Sequence, residues 1–210
     1  MYKGNYIYLR LFEPEDYVNT YRWHNDLEIQ NALCSPLRIV SKEIERNWTQ
    51  KVSLDNTHNI YFAICLIEND EMIGWYSIND IDYRNRKCNC GGVVIGEKKY
   101  RDGMAYVEAG KLAFQYIINE LNMNRVTGAC LREHVMSRAL MEASCWTLEG
   151  IARQAIFKNG CYHDICYYSI LREEYFEHYY NGDYNERVQN VALGKAIKRI
   201  KTELKELKQN

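Results

Sequence analysis

The sequence predicts a mixed α/β domain folded on one sheet. Three observations carry that reading. Short β-branched or alternating runs and segments of helical spacing follow one another in the order β-α-α-β-β-β-α-β-α-β-β. The chain has 210 residues, 47 % hydrophobic and 26 % charged, which is enough apolar side chain for the core of one large domain. It holds no internal repeat or low-complexity tract and only two prolines, so no linker interrupts it before about Tyr180.

The elements are justified in turn. In Tyr6–Phe12, Tyr6, Tyr8 and Arg10 alternate with Ile7, Leu9 and Leu11, as a strand does. Pro14 opens a helix where proline is tolerated, with Glu15 and Asp16 in its first turn and Tyr17, Tyr21 and Trp23 along it toward Asn25. Ser41 is placed to cap a second helix running to about Lys51. Ile60–Ile67 and Met72–Ile81 read as a strand pair joined by the polar hairpin Glu68-Asn69-Asp70-Glu71, and Val93–Ile95 continues the sheet. A long helix then runs to about Leu121. Arg125–Leu131 is a strand, Met136–Ala143 a helix, and Thr147–Phe157 and Asp164–Leu171 are two closing strands.

After Tyr180 the character changes. Asn181-Gly182-Asp183-Tyr184-Asn185 reads as a break. Beyond it Leu193, Ile197, Ile200, Leu204 and Leu207 recur at spacings of four and three, the seam of an amphipathic helix with basic outer faces. The expected organisation is a domain over 1–180 and a helical extension over 181–210. The stripe packs either on its own domain or on a second copy, so a homodimer through this helix is one expectation.

Composition excludes several classes. Formal net charge is −1, so no global field points to nucleic acid or a membrane surface. No apolar run approaches the roughly 18 residues of a spanning helix, and Met1–Tyr6 lacks the apolar stretch of a secretory signal. Eight cysteines are present, but Cys65, Cys130 and Cys166 fall within apolar strands. Cys88-x-Cys90 and the Cys161, Cys166 pair lack zinc spacing. The expectation is buried reduced thiols, no metal, and a cytoplasmic location.

The stretch Val93–Ala113 carries most of the functional signal. A β-branched strand feeds a polar turn and then a helix with small residues in its first turns. The first N–H groups of a helix lack an intrahelical acceptor and point beyond its end, which suits an anion such as phosphate. Gly103 and Ala105 keep side chains out of that approach.

With these elements in order, the chain resembles the GNAT superfamily of acetyl-CoA-dependent N-acetyltransferases. The residues that carry the resemblance are Leu9-Arg10-Leu11-Phe12-Glu13-Pro14-Glu15-Asp16, the strand-turn-helix just described, and Leu121-Asn122-Met123-Asn124-Arg125-Val126. Further matches are Leu148-Glu149-Gly150-Ile151-Ala152-Arg153 and Asn159-Gly160-Cys161-Tyr162-His163-Asp164. They are most similar to the branch with the ribosomal-protein N-terminal and spermidine acetyltransferases, and cover roughly Tyr6 to Tyr175.

The resemblance implies a GNAT-like acyl-CoA N-acyltransferase fold, with a splayed central sheet and flanking helices. It implies acetyl-CoA as donor, its pantetheine arm pairing with Val93, Val94 and Ile95 and its pyrophosphate on the turn before the long helix. The family signature there is Gln/Arg-x-x-Gly-x-Gly/Ala. Counted from the strand, Tyr100-Arg101-Asp102-Gly103-Met104-Ala105 supplies the Gly and the Ala with Tyr in first place. Counted back from Glu108-Ala109, Arg101 takes first place but Met104 and Tyr106 stand where small residues belong. The strand-side count is preferred. It makes Arg101, Asp102, Gly103, Met104 and Ala105 the phosphate turn.

Three positions depart from the family pattern. His134 stands where an Asn touching the cofactor is common. Met141 stands where a Tyr often protonates the leaving thiolate, and Cys145-Trp146 replaces Gly-Phe. Methionine cannot donate a proton. His134, Ser137 and Met141 therefore join the expected cofactor contacts, while His134 and Ser137 are also catalytic candidates, each with an alternative role at the helix start. For the base, the carboxylates Asp80, Asp82, Glu97 and Asp164 come into consideration, and no spacing singles one out. Trp23, His24, Trp48, Trp75 and Tyr76 lie in segments that would wall an acceptor cleft.

Two functions follow. One is acetyl transfer to a primary amine of a small molecule or of a peptide or protein N-terminus. The other is a catalytically silent acyl-CoA-binding or protein-interaction module with the same fold.

Overall fold

The computed structural model of the chain describes residues 1–180 and 186–207. The chain divides into two compact units, Met1–Asn31 with Leu37–Met123, and Ala32–Pro36 with Asn124–Asn210.

The first unit is an antiparallel meander with helices. Its strands are β1 (Tyr2–Lys3), β2 (Ile7–Leu11), β3 (Ile60–Leu66), β4 (Met72–Asp82) and β5 (Lys87–Ile95), each paired antiparallel with the next. Between β2 and β3 come a short 3-10 turn at Pro14–Asp16, then α1 (Tyr17–His24), α2 (Leu27–Ala32) and α3 (Lys42–Ser53). After β5 a second 3-10 turn, Lys98–Tyr100, leads into α4 (Met104–Gln115), which loosens into a π-type turn over Tyr116–Glu120.

Local chemistry explains these boundaries. Arg10 donates to both carboxylate oxygens of Asp16 at 2.7 Å, and Asp16 also accepts from the Glu13 N–H at 2.8 Å, closing the corner between β2 and α1. Ser41 Oγ accepts from the Ile44 N–H at 3.2 Å and starts α3. The Glu108 carboxylate of α4 accepts from the N–H groups of Asn5, Tyr6 and Ile7 at 2.7–2.9 Å, which anchors the helix on the β1–β2 turn. Ala105, Ala109 and Ala113, four apart, form the buried stripe of α4. The core around them is Ile7, Leu9, Ile60, Ile64, Ile73, Ile78, Ile117 and Ile118, all below 2 % exposed.

The second unit is a three-stranded antiparallel sheet. Its strands are β6 (Arg125–Leu131), β7 (Thr147–Lys158) and β8 (Cys161–Leu171), with β8 in the middle. Asn159 and Gly160, both at positive φ, make the two-residue turn between β7 and β8. Its helices are α5 (Val135–Ala143), α6 (Arg172–Tyr175), which continues as a π-type turn over Phe176–Tyr180, and α7 (Glu186–Leu207). Helix α7 lies on α5. Ala139, Ala196 and Ile200 are buried together, with Val135, Leu193, Ile197 and Leu204 packed around them.

The mixed α/β class is borne out, with differences in detail. Strand β5 begins at Lys87 rather than Val93, and β8 at Cys161 rather than Asp164. Pro14 opens a 3-10 turn that precedes the helix. Elements β1 and α2, of two and six residues, were not expected. Leu207, the last residue of the expected stripe, is 46 % exposed because α7 outruns α5. The expected break at 181–185, and the ends of the expected tail helix at Asn185 and Lys208, lie outside the described residues.

Candidate functional site

The end of β5 and the start of α4 form one structure, all within the first unit. On β4, Ser77 pairs with Gly92 and the next residue, Ile78, with Cys90, so β5 carries an extra residue there. Such a bulge bends and twists a strand. It falls immediately before Val93, Val94 and Ile95. Val94 and Ile95 are buried and Val93 is half-buried.

Past Ile95 the chain turns through Lys98–Tyr100 to Gly103, which caps α4 at φ +97°. Glycine alone reaches that region without strain. A side chain built there would meet nothing within 4 Å, so the space beyond the helix end is open. The first-turn amides have no intrahelical acceptor. That of Met104 is taken by Asp102 Oδ1 at 2.9 Å. Ala105 is fully buried and Met104 is exposed. Arg101 serves the loop itself. It donates to Ile95 O and Gly96 O at 2.8 Å and to Glu28 at 3.0 Å. Lys98 and Lys99 stay largely exposed beside the turn, paired loosely with Glu28 and Glu71 at 3.2 and 3.3 Å.

The expected acceptor-wall aromatics gather in the same unit. Trp23 stacks on Trp75 at 5.8 Å between centroids, and the His24 ring lies 5.1 Å from both Trp48 and Trp75. Trp48 meets Tyr61 edge-on at 5.4 Å and Phe12 at 6.0 Å. His24 Nδ1 stands 2.8 Å from Oε1 of Glu45, a carboxylate on α3 that is 2 % exposed. Tyr76 is buried apart from this group, its hydroxyl 2.8 Å from Cys90 Sγ, and burial raises both the phenol and the thiol, the thiol to about 12. Sequence reasoning placed His24 among aromatics but missed Glu45, 21 positions away, because no periodicity links them.

The carboxylates weighed as bases are engaged elsewhere. Glu97 accepts from Arg22 at 2.8 Å and from Trp23 Nε1 at 3.2 Å. Asp82 caps the Asn85 turn at 2.7–2.9 Å, and those hydrogen bonds hold its carboxyl below the usual range. Asp164 accepts from the Gln154 N–H at 2.9 Å and from Arg132 at 3.0 Å, which lower its pKa likewise. Asp80 sits at φ +53° on the exposed β4 rim.

Within the second unit, His134 caps α5. Its Nδ1 accepts from the Ser137 N–H at 3.1 Å, and burial lowers the imidazole's pKa. Met141 packs against the cluster of Cys130, Cys166 and Tyr168 on the sheet, with Cε 3.0 Å from where a Gly128 side chain would start. The structure therefore gives His134 and the Ser137 amide a helix-capping role and Met141 a packing role within this unit.

A bulged strand that leads into an open, glycine-capped helix start, with a cluster of aromatic rings in the same unit, is the arrangement that the resemblance implies for an acyltransferase. A family model described as "Acetyltransferase (GNAT) domain" matches residues 7–144, and the chain belongs to this acetyltransferase family. It is 30 % identical over 110 residues to the "Putative ribosomal N-acetyltransferase YdaF" of Bacillus subtilis, a match covering 52 % of this chain and 59 % of that relative. The chain thus spans less than two thirds of that protein. It is 29 % identical over 171 residues to the "Uncharacterized N-acetyltransferase p20" of Bacillus licheniformis, covering 80 % of this chain and 93 % of that one. Among solved structures, the spermidine N-acetyltransferase from Vibrio cholerae in complex with CoA and spermine shares the fold. The TM-score is 0.73 at 21 % identity, over 81 % of this chain and 98 % of that one.

Proposed function

We propose that the chain transfers the acetyl group of acetyl-CoA to a primary amine, carried by a small molecule or by a peptide or protein N-terminus. The observation that carries this reading is the open, glycine-capped start of α4 directly behind the bulged end of β5. The helix start suits the pyrophosphate, and Lys98 and Lys99 flank it with positive charge. The backbone of Val93–Ile95 is the natural partner of the pantetheine amides, and N–H groups near Val94 would polarise the thioester carbonyl. In this reading Asp102 swings from the Met104 amide when phosphate arrives, and Arg101 fixes the loop without touching the ligand. His134, Ser137 and Met141 are assigned as cofactor contacts on the family likeness.

The acceptor class is supported by the similarity to a protein named for ribosomal N-acetylation and by the cluster of aromatic rings. The thiols fit a reducing compartment, since the eight cysteines form no disulfide with one another. Among the described residues no helix is long and apolar enough to cross a membrane.

Met141 favours the second reading. A packed thioether stands where a proton donor is common, which is what a binding module without turnover would show. One experiment separates the two. Melting is followed with and without acetyl-CoA, and thiol release is then measured over a panel of primary amines. A raised melting temperature with thiol release supports transfer. A raised melting temperature with no release on any amine supports the silent module. No shift at millimolar acetyl-CoA overturns transfer and acyl-CoA binding alike.

A further inference from the structure

Resting on the acetyl-transfer reading, we infer that His24 is the base that takes a proton from the acceptor ammonium, and that Glu45 is the residue that positions it. His24 ends α1 and faces α3. A carboxylate oxygen only accepts, so the 2.8 Å contact with Glu45 Oε1 puts the ring proton on Nδ1. The lone pair is then on Nε2, for which no partner stands among the described residues. Glu45 is 2 % exposed while His24 is 22 % exposed. The orienting group is thus buried and the working group is partly exposed, the arrangement by which a carboxylate holds an imidazole in one tautomer.

The position is as telling as the pair. Trp75, on which His24 rests, is the direct cross-strand partner of Val94. Opposed residues in an antiparallel pair project from the same face, with Cβ atoms about 5 Å apart. His24 therefore stands one strand over from the backbone assigned to the thioester. Trp23 closes the same corner, since a side chain at Gly96 would start 2.0 Å from its Cε2. The indoles of Trp48 and Trp75 lie beside the imidazole, and aromatic rings there would attract an ammonium.

The charged groups around the ring are few. Glu45 comes from α3, and the Arg22–Glu97 pair lies beside Trp23, with Glu97 occupied by both. Strands β3 and β4 contribute Tyr61 and Trp75, which carry no charge near neutral pH.

The chemistry balances without another reactant. The ammonium gives one proton to Nε2, and the imidazolium is held by Glu45. The freed amine lone pair attacks the thioester carbonyl carbon, forming the C–N bond. The intermediate collapses, the C–S bond breaks, and coenzyme A leaves as thiolate. The remaining excess proton on nitrogen passes through solvent to that thiolate, and His24 returns its proton to water. The products are the N-acetyl amine and coenzyme A.

The test uses the full chain. His24→Ala and Glu45→Gln are compared with wild type for acetyl-CoA binding, for thiol release with the amine panel, and for release with added imidazole. The ring tautomer of His24 is read by 15N NMR. We expect His24→Ala to lose about 100-fold or more in kcat, with KM for acetyl-CoA within about twofold. Imidazole should restore at least about tenfold, which a purely structural histidine would not allow. Wild type should show the Nδ1–H tautomer, and Glu45→Gln should mix the two.

A wild-type ring protonated at Nε2 overturns the inference even if a variant fails to fold. So does an active His24→Ala, or an inactive one that imidazole cannot rescue. A wild type that binds acetyl-CoA and acetylates nothing overturns the inference together with transfer. Turnover that survives in His24→Ala overturns the inference alone.

Discussion

At Gly103 the chain enters the left-handed region to start α4, and empty space surrounds the missing side chain. Substitution there tests backbone and site at once. Gly103→Ala should cost about 1 kcal/mol through φ alone, read from urea melts. It should also weaken acetyl-CoA binding about tenfold or more, because a methyl would occupy the phosphate's approach. A folded Gly103→Ala chain with unchanged acetyl-CoA affinity would remove the helix start from the site. A second residue prediction concerns thiols. Burial raises Cys34 to about 11 and Cys90 and Cys130 to about 12, and it raises Cys65, Cys88, Cys145 and Cys166 as well. Cys161 is exposed at the β7–β8 hairpin, 3.2 Å from His163 Nε2, and His163 in turn pairs with Glu133. Iodoacetamide should therefore label Cys161 first, by mass mapping, while the others wait for unfolding. Early labelling of Cys88 or Cys130 would contradict the burial on which this rests. At this scale the sequence made Gly103 and the aromatics legible, since glycine and tryptophan have few alternative uses. It could not show that Arg101 serves the loop or that His24 meets Glu45. Those are contacts across the fold, set by where α1, α3 and β5 come to lie.

Strands β2 to β8 were legible because alternation and β-branched runs survive in a half-buried sheet. Elements β1 and α2 were not, being too short to show a full period. The start of β5 was hidden by Cys88, Asn89, Cys90 and two glycines, which carry no strand pattern. The tail helix was legible as a stripe, but what it covers was not. It covers α5, and it also brings charge. Arg138 on α5 is 1 % exposed, and Glu203 of α7 accepts from it at 2.7 Å while accepting from Arg132 at 3.0 Å. A buried arginine that loses its carboxylate is left uncompensated. Glu203→Gln should therefore destabilise by about 2 kcal/mol, below the usual figure for a fully buried pair because Glu203 is 27 % exposed. Truncation after Tyr180 should lower the melting temperature further, since Ala139 and Val135 are uncovered as well. Light scattering on the same truncation reads the oligomer. Unchanged mass fits a stripe spent on α5, whereas a fall from dimer to monomer shows that α7 also holds a second copy. A truncated chain that melts like the full one would show that α7 contributes nothing to the fold.

Across the whole molecule, the ionisable groups predict a stability plateau bounded on both sides. Hydrogen bonds and arginine partners lower the carboxyls of Asp82, Glu149 and Asp164. Glu203 is also lowered, its arginines outweighing burial, and Asp55 falls to about 2. A carboxyl depressed in the fold contributes stability above its unfolded pKa, near 4, and loses it as pH falls through the folded value. Buried His134, lowered from about 6.5, starts the decline sooner, because the unfolded chain takes up its proton first. On the alkaline side the sign reverses. The thiols of Cys34, Cys90 and Cys130 and the phenols of Tyr76 and Tyr168 are raised by burial, so the unfolded chain ionises first. Stability is then lost as pH rises from about 8.5, the ordinary thiol value. Lys158, lowered by burial against Leu33 O at 2.6 Å, opposes this trend as a single group. The urea midpoint should hold between about pH 7 and about pH 8, fall steadily toward pH 4, and fall again by about pH 10. A reducing agent keeps disulfide formation out of the measurement. A midpoint unchanged between about pH 8 and about pH 10 would mean that the cysteines ionise as freely in the fold as in the unfolded chain. The buried-thiol core would then be wrong.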